Sequence, residues 1–219
     1  MTRAELALML DHSVLKPEAT ERDVRGGADI VRNWGVGYYC VQPCWVRAAC
    51  EALDGTAARV AAVIGFPHGC ERTDVKVAAA QLAITDGAFE LDMVINIGAL
   101  KGGDAAATAA DIAAVVRAAP GIPVKVILET RTLSDSEKRL GCRLTLDAGA
   151  AFVKTSTGFH ASGGATVADV RLLRAEVGAA FGVKASGGIR TLADVHSMLA
   201  AGANRIGTSA SAAILAAIA

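Results

Sequence analysis

The chain has 219 residues, is apolar over 53% of its length, and carries 22 basic and 22 acidic residues. This length suffices for one large core, and a formal net charge of zero without a basic run argues against a nucleic-acid or membrane surface. The five cysteines show no disulfide framework or signal peptide beside them, so we expect reduced thiols in a cytoplasmic protein.

Short strands and helices alternate along the whole chain. MTRAELALML, at residues 1–10, predicts a short amphipathic helix. The predicted strands lie near residues 11–15, 37–41, 59–65, 89–95, 123–129, 150–154, 182–186 and 204–207. Helical windows separate them, for example at residues 19–34, 71–87, 103–119 and 134–149. Several windows begin at a capping hydroxyl and end at glycine: Thr20, Ser134, Thr166 and Thr191, with Gly35, Gly87, Gly149 and Gly202.

Eight strand–helix units favour a (β/α)8 TIM barrel made by residues 1–219 as a single domain. The alternative is an open, doubly wound parallel sheet. Its usual fingerprint of spaced glycines near the first strand is missing here.

Charged residues fall on the interior face of this predicted barrel. Side chains alternate along a strand, so AFELDMVIN puts Glu90 and Asp92 on one face, and Lys154 and Lys184 take the same face of later strands. The rule places inside the barrel, toward the strand ends, Asp92, Lys125, Glu129, Lys154 and Lys184. A structural ion pair would explain one such lysine. Two lysines before glycine-rich turns on adjacent strands, facing one carboxylate, favour an active site at the barrel mouth.

Two neighbouring lysines can activate one amine. Bringing a lysine pKa near neutrality takes roughly 4.6 kcal/mol. A second ammonium about 5 Å away supplies roughly 3 kcal/mol, and desolvation supplies the rest. The activated amine would form a Schiff base with a carbonyl substrate, which then acts as an electron sink for a C–C bond.

Glycine-rich turns after the last two strands predict a phosphate site. SGGIRT (186–191) and GTSAS (207–211) follow strands seven and eight, whose loops often bind phosphate in this fold. TSTG (155–158), directly after Lys154, adds hydroxyl and amide donors.

Other reactive residues give weaker evidence for a functional site. The four histidines lack metal-ligand spacing, so no metal site is expected, and Ser156 and Ser209 lack a His/Asp partner set for a serine hydrolase. Cys44 is close enough to the second strand to reach the mouth, but a buried, inert thiol is the favoured interpretation.

Seven segments together resemble the deoxyribose-phosphate aldolases of the short bacterial type. They are DHSVLKPEAT, VIGFPHG, ELDMVINIGALKGGD, VKVILET, AFVKTSTGF, GVKASGGIRT and RIGTSA, in order and over nearly the whole chain. The resemblance implies that Lys154 forms the Schiff base, Lys184 lowers its pKa and Asp92 relays protons with water. Asp11 and Lys125 match supporting positions. The substrate and phosphate positions it implies are Thr157, Gly158, Gly187, Gly188, Gly207 and Ser209.

The resemblance also implies the reaction. It is reversible cleavage of 2-deoxy-D-ribose 5-phosphate to D-glyceraldehyde 3-phosphate and acetaldehyde, with no metal or organic cofactor. The partners it implies are small sugar phosphates and aldehydes and a second copy in a homodimer. Two alternatives stay open: another lysine aldolase acting on a sugar phosphate or keto acid, and a non-catalytic phosphosugar-binding barrel.

Four features depart from the family pattern. Phe89 stands where an acidic residue is more usual, Gln42 where asparagine is expected, and Phe159 where some members carry lysine. Some members have a C-terminal tyrosine that assists proton transfer, whereas this sequence ends AAILAAIA. The lysine pair and Asp92 are unaffected.

Overall fold

Eight parallel strands close into a barrel in the computed structural model, which describes residues 1–218. They are β1 (Leu10–Val14), β2 (Tyr38–Val41), β3 (Arg59–Ile64), β4 (Glu90–Val94), β5 (Val124–Ile127), β6 (Phe152–Lys154), β7 (Gly182–Ser186) and β8 (Arg205–Thr208). Each strand pairs with the next in sequence, and pairing of β8 with β1 closes the barrel. The predicted (β/α)8 barrel is confirmed, and every predicted strand overlaps an observed one.

Helices follow the strands and one precedes them. The α-helices described are α1 (Arg3–Ala7), α2 (Glu21–Trp34), α3 (Val46–Ala52), α4 (Thr73–Thr85), α5 (Ile97–Lys101), α6 (Ala105–Ala118), α7 (Asp135–Asp147), α8 (Val167–Val177), α9 (Leu192–Ala200) and α10 (Ser211–Ala216). Short 3-10 turns span Pro43–Trp45 and Thr130–Thr132. None of these helices combines the length and apolar character needed to cross a membrane.

The helix boundaries follow from local capping chemistry. The Thr20 hydroxyl accepts a hydrogen bond from the backbone N–H of Asp23, and Ser134 accepts one from Glu137. Both carboxylates bond back to the cap residue, which completes a capping box. At the other end of α2, Gly35 takes a left-handed conformation with φ of 64°. The predicted caps at Thr166 and Thr191 are also observed.

Two apolar layers position the site. The outward strand residues, such as Leu91, Met93 and Val126, are fully buried against the surrounding helices in the main core. A second apolar cluster lies on the other side of the sheet and consists of Leu15, Cys40, Ala61 and Val63, with Phe66 packed against it. The interior face of the barrel also carries charged side chains, among them Asp92, Lys125 and Lys154.

Candidate active site

A cavity of about 620 Å³ opens at the carboxyl ends of the strands. Nine of the predicted site residues line it: Asp11, Lys154, Thr157, Gly158, Lys184, Gly187, Gly188, Gly207 and Ser209. Two further predicted residues, Asp92 and Lys125, are fully buried. The fold therefore brings every predicted site residue to one end of the barrel or directly into its interior.

Parallel register places two lysines side by side over one carboxylate. Lys154 on β6 pairs with Lys184 on β7, and Asp92 on β4 pairs with Lys125 on β5. Asp92 Oδ2 lies 2.6 Å from Lys154 Nζ and 2.7 Å from Lys184 Nζ. Asp92 Oδ1 lies 2.8 Å from Lys125 Nζ. The alternation rule had predicted all four as interior residues, and that prediction is confirmed.

Asp92, Lys125, Lys154 and Lys184 belong to a larger ionic cluster. This cluster continues to the end of the barrel opposite the cavity. Lys184 donates a hydrogen bond to Asp11 Oδ2, and Lys125 Nζ lies 2.5 Å from Glu90 Oε2. Arg205 Nη1 lies 3.1 Å from both Asp11 Oδ1 and Glu90 Oε2. Sequence reasoning missed Arg205. The sequence did contain a signal for this residue. Arg205 lies two residues before Gly207, so strand alternation puts both on the interior face of β8.

The pKa values of Lys154 and Lys184, the two lysines that line the cavity, are shifted in opposite directions. Burial lowers the pKa of Lys154, the positive charge of Lys184 lowers it further, and Asp92 only partly opposes them. Burial also acts on Lys184, but the charges of Asp11 and Asp92 outweigh it and hold its pKa above the ordinary value. Lys154 contacts one carboxylate and Lys184 contacts two, which explains the difference. The sequence argument gave Lys184 the larger effect on Lys154. Burial is in fact the larger cause.

Asp92 and Asp11 stay ionised. Burial raises the pKa of Asp92, but Lys125, Lys154 and Lys184 together hold it well below the usual range. Burial likewise acts on Asp11, where Lys184, Lys125 and Arg205 keep the pKa low. A neutral Lys154 beside an ionised Asp92 and a charged Lys184 can act as a nucleophile with an acid within reach.

Two glycines that follow β7 line the cavity. Gly187 and Gly188 follow β7 with φ of 87° and 79°, a region that other residues rarely adopt. A Cβ on Gly187 would lie 2.9 Å from Gly164 Cα, so the two loops approach too closely for a side chain. A Cβ on Gly188 would meet no atom within 4 Å. This turn therefore exposes backbone to the cavity.

Glu129 lies outside the ionic cluster, contrary to the alternation rule. Its φ of 56° turns the chain out of strand geometry just after β5. Its Oε2 instead accepts hydrogen bonds from the Thr157 hydroxyl at 2.5 Å and the Thr157 backbone N–H at 3.2 Å. Its Oε1 is buried and accepts no hydrogen bond from residues 1–218. Glu129 thus orients Thr157, which lines the cavity.

The cysteine expectation was wrong. Cys44 is exposed within the 3-10 turn that follows β2, whereas Cys40 is buried and lines the cavity. Burial and the charge of Asp92 raise the pKa of the Cys40 thiol to about 11, so it is neutral at physiological pH. The signal for Cys40 was its position inside strand β2.

Gln42 and Phe159, which depart from the family pattern, have specific contacts, and two further cations line the cavity. Gln42 donates a hydrogen bond to the Leu15 carbonyl at 2.9 Å. Phe159 lines the cavity and packs edge-on against Phe66, with ring centroids 5.1 Å apart. Lys16 and Arg190, which sequence reasoning did not single out, also line the cavity. They bring positive charge to a rim that lacks a lysine at position 159.

Comparison with known proteins gives a consistent assignment. The profile of the DeoC/LacD family aldolases matches residues 6–217. A deoxyribose-phosphate aldolase of Streptococcus pneumoniae is 50% identical over 206 residues, which cover 94% of this chain and 93% of the relative. Deoxyribose-phosphate aldolase 1 of Bacillus licheniformis is 48% identical over 212 residues, covering 96% and 95%.

Solved structures agree with the sequence matches. A putative deoxyribose-phosphate aldolase from Coccidioides immitis superposes with a TM-score of 0.95 at 40% identity, covering 99% of this chain and 86% of that chain. An aldolase from Aeropyrum pernix, described as a unique tetramer, superposes with a TM-score of 0.89 at 33% identity. The overlap covers 98% of this chain and 91% of that one.

Proposed function

Because the chain belongs to the DeoC/LacD family of aldolases, we propose that it is a class I aldolase. It reversibly cleaves 2-deoxy-D-ribose 5-phosphate to D-glyceraldehyde 3-phosphate and acetaldehyde. The observation that carries the proposal is Lys154, an amine with a lowered pKa that lines the cavity 2.6 Å from Asp92. Its relatives in Streptococcus pneumoniae and Bacillus licheniformis support the substrate.

The reaction proceeds through a Schiff base. The Lys154 amine adds to C1 of the open-chain sugar, and loss of water leaves an iminium. Loss of the C3 hydroxyl proton to a base breaks the C2–C3 bond, whose electrons move to the iminium nitrogen. D-glyceraldehyde 3-phosphate departs, and the enamine left behind takes a proton at C2. Hydrolysis then releases acetaldehyde and the free amine. Since the iminium is the electron sink, the reaction takes no metal or organic cofactor.

Asp92 and Lys184 handle the protons of Lys154 in this proposal. Asp92 Oδ2 lies within 2.7 Å of both Nζ atoms, so it passes protons between them. Asp92 is fully buried, whereas Lys184 lines the cavity and can exchange protons with substrate and water. Asp11 and Lys125 support this geometry by holding Lys184 and Asp92.

The phosphate binds at the glycine-rich side of the cavity. Gly187 and Gly188 after β7, with Gly207 and Ser209 at the end of β8, offer backbone N–H groups there. Thr157 and Gly158 line the same cavity and contribute contacts to the sugar. Exposed Arg190, which directly follows this turn, adds compensating charge.

The remaining parts of the proposal concern the whole molecule. We propose that the chain acts as a single barrel domain, in the cytoplasm and as a homodimer. All five cysteines are free, in keeping with a reducing compartment. Light scattering on the purified protein tests the dimer, and a monomer or tetramer mass would contradict it.

Borohydride trapping tests the function most directly. The protein is incubated with acetaldehyde and borohydride, digested and mapped by mass spectrometry, while cleavage of 2-deoxy-D-ribose 5-phosphate is followed in parallel. We expect one ethyl group on Lys154, its loss in Lys154→Met, and turnover of the sugar phosphate. Binding of the sugar without trapping or cleavage would favour a phosphosugar-binding barrel. Trapping with a keto acid in preference to acetaldehyde would favour another lysine aldolase.

A further inference from the structure

The ionic cluster inside the barrel holds one more cation than anion. Every member is buried and has at least one opposite charge within 4 Å. The cations are Lys125, Lys154, Lys184 and Arg205, and the carboxylates are Asp11, Glu90 and Asp92. With every group ionised the cluster carries a charge of +1. With one lysine neutral it carries none.

Arg205 occupies the end of the cluster opposite the cavity. Its guanidinium forms hydrogen bonds with Asp11 Oδ1 through Nη1, and with Glu90 Oε2 and Oε1 through Nη1 and Nη2. It also stacks on the Tyr38 ring with 3.4 Å between the guanidinium carbon and the ring centroid. Both carboxylates that it contacts also bind a lysine, Lys184 at Asp11 and Lys125 at Glu90. Arg205 therefore takes up carboxylate charge that the lysines would otherwise hold alone.

The excess positive charge of the cluster can be removed by loss of a proton from one group. A net charge in a buried site is expensive unless it is paired. A guanidinium does not lose its proton in proteins, so the relief must come from a lysine. Lys154 has a single carboxylate contact, with Asp92, which it shares with two other lysines. It is the group that gains least from staying charged.

We propose that Arg205 is a positioning residue, a permanent cation that saturates Asp11 and Glu90 and so leaves Lys154 as the amine that releases its proton. The proposal deepens the proposed function, because it takes Lys154 as the nucleophile and assigns how its free-base form is maintained. Arg205 acts through the cluster and does not touch the cavity.

The other groups that face these two residues do not change the balance. Lys154 is faced by Asp92 from β4, Lys184 from β7 and Cys40 from β2. The pKa of Cys40 is raised to about 11, so it adds no charge near neutrality. Arg205 is faced by Asp11 from β1, Glu90 from β4 and Tyr38 from β2. Removal of the positive charge of Arg205 therefore favours the protonated form of Lys154. Removal of the negative charge of Glu90 favours its neutral form.

The test is the protonation of Lys154 in charge-altered variants. Acetic anhydride labels only free amines, and mass spectrometry of peptides labelled at a series of pH values gives the midpoint for Lys154, with exposed Lys101 as internal standard. We expect Arg205→Met to move this midpoint upward by about one pH unit or more, a tenfold loss of free amine at fixed pH. Glu90→Gln should move it downward. The double variant should return it close to the wild-type value, as should Arg205→Lys.

Opposite shifts that cancel distinguish charge balance from support of the fold. Lower activity of Arg205→Met with an unmoved Lys154 midpoint would overturn the proposal. So would a double variant in which the two shifts fail to cancel. If Arg205→Met does not fold, the direction of the shift in Glu90→Gln alone decides. Labelling needs no turnover, so a wild-type protein that titrates as expected but cleaves no deoxyribose phosphate would contradict the proposed function and leave this inference standing.

Discussion

Lys154 and Lys184 are directly paired residues of adjacent parallel strands, and the Nζ atoms of both lie within 2.7 Å of one oxygen of Asp92. Sheet register alone brings them together, because residues paired across parallel strands point to the same face. The pKa of Lys154 is nevertheless lowered and that of Lys184 raised. The pKa values of two identical side chains thus shift in opposite directions because only Lys184 also contacts Asp11.

Replacing Lys184 should impair the enzyme mainly at neutral pH. In Lys184→Leu the like charge beside Lys154 is gone, so Lys154 keeps its proton to higher pH. At roughly 3 kcal/mol for such a pair, we expect about a hundredfold lower kcat/KM at pH 7, partly recovered in alkaline solution. The pH–rate profile measures this, with Lys101→Leu outside the cavity as the control. An acid limb that stays in place would remove Lys184 from this role.

Neutralising Asp92 should separate Schiff-base formation from turnover. Asp92→Asn keeps the shape of the side chain but cannot accept a proton, so we expect turnover to fall by about a hundredfold or more. Borohydride trapping of acetaldehyde on Lys154 should survive, since loss of this anion also favours the free amine. Turnover close to that of the wild type would refute the proton-transfer role.

A side chain at Gly188 should discriminate against the phosphate. Gly188→Ala puts a methyl group where the cavity is open, and we expect about tenfold lower kcat/KM for 2-deoxy-D-ribose 5-phosphate because remote phosphate binding orients the sugar. The unphosphorylated sugar should change by less than about twofold, since it never uses that contact.

Gly35→Ala is the matched control for this experiment. Gly35 has a left-handed backbone with φ of 64° and, like Gly188, open space around a Cβ, but it ends α2 outside the cavity. Both variants should lose about 1–2 kcal/mol of stability from the left-handed backbone. Equal losses for both sugars in Gly188→Ala would make Gly188 a structural turn only.

The hydrogen bonds from Thr157 to Glu129 should contribute to stability and substrate binding because Glu129 supplies an acceptor oxygen, not because it is charged. Glu129→Ala leaves the Thr157 N–H and hydroxyl without their acceptor, which should cost about 1–3 kcal/mol in the free energy of unfolding and raise KM. Glu129→Gln keeps an acceptor oxygen and should remain close to the wild type. Urea unfolding and steady-state kinetics measure both effects. If Glu129→Ala left KM unchanged, Thr157 would not need this support.

Acid should destabilise the fold through His12. Burial lowers the pKa of His12 to about 4 from an ordinary value of 6.5, and its Nδ1 lies 3.1 Å from Ser211 Oγ. Below pH 6.5 the unfolded chain binds a proton that the folded protein refuses, so stability falls with pH until His12 also titrates near 4. Between pH 7 and 4.5 this amounts to about 2 kcal/mol.

Replacing the imidazole should remove that part of the acid sensitivity. Urea unfolding at the two pH values should show a smaller decrease for His12→Gln than for the wild type. His196→Gln, on the exposed face of α9, should behave like the wild type. Identical decreases in His12→Gln and the wild type would assign the acid sensitivity to other groups.

Strand alternation was enough to predict the charged interior, because a period of two is a local property. It placed Asp92, Lys125, Lys154 and Lys184 correctly before any strand order was known. It failed at Glu129, where a φ of 56° ends the strand geometry on which the rule depends. The rule applies to Cys40, which lies inside β2, but not to Cys44, which lies in the 3-10 turn after that strand; only Cys40 lines the cavity.

The ion-pair partners of Arg205 could not be predicted, for a different reason. Its partners Asp11 and Glu90 are 194 and 115 residues away in sequence. They meet it only because β8 pairs with β1 and the barrel closes. Local patterns report which face a side chain takes, but not which charges share that face across a closed sheet.

Under the proposed function, closure between the first and last strands also determines when Lys154 becomes reactive during synthesis of the chain. Asp11 emerges early from the ribosome, whereas Lys184 and Arg205, which bind it, are made 173 and 194 residues later. A nascent chain that lacks β8 leaves Asp11 and Glu90 without their guanidinium and the last gap in the barrel unfilled. Under the proposed function, the reactivity of Lys154 therefore requires β8 and indicates that the barrel has closed.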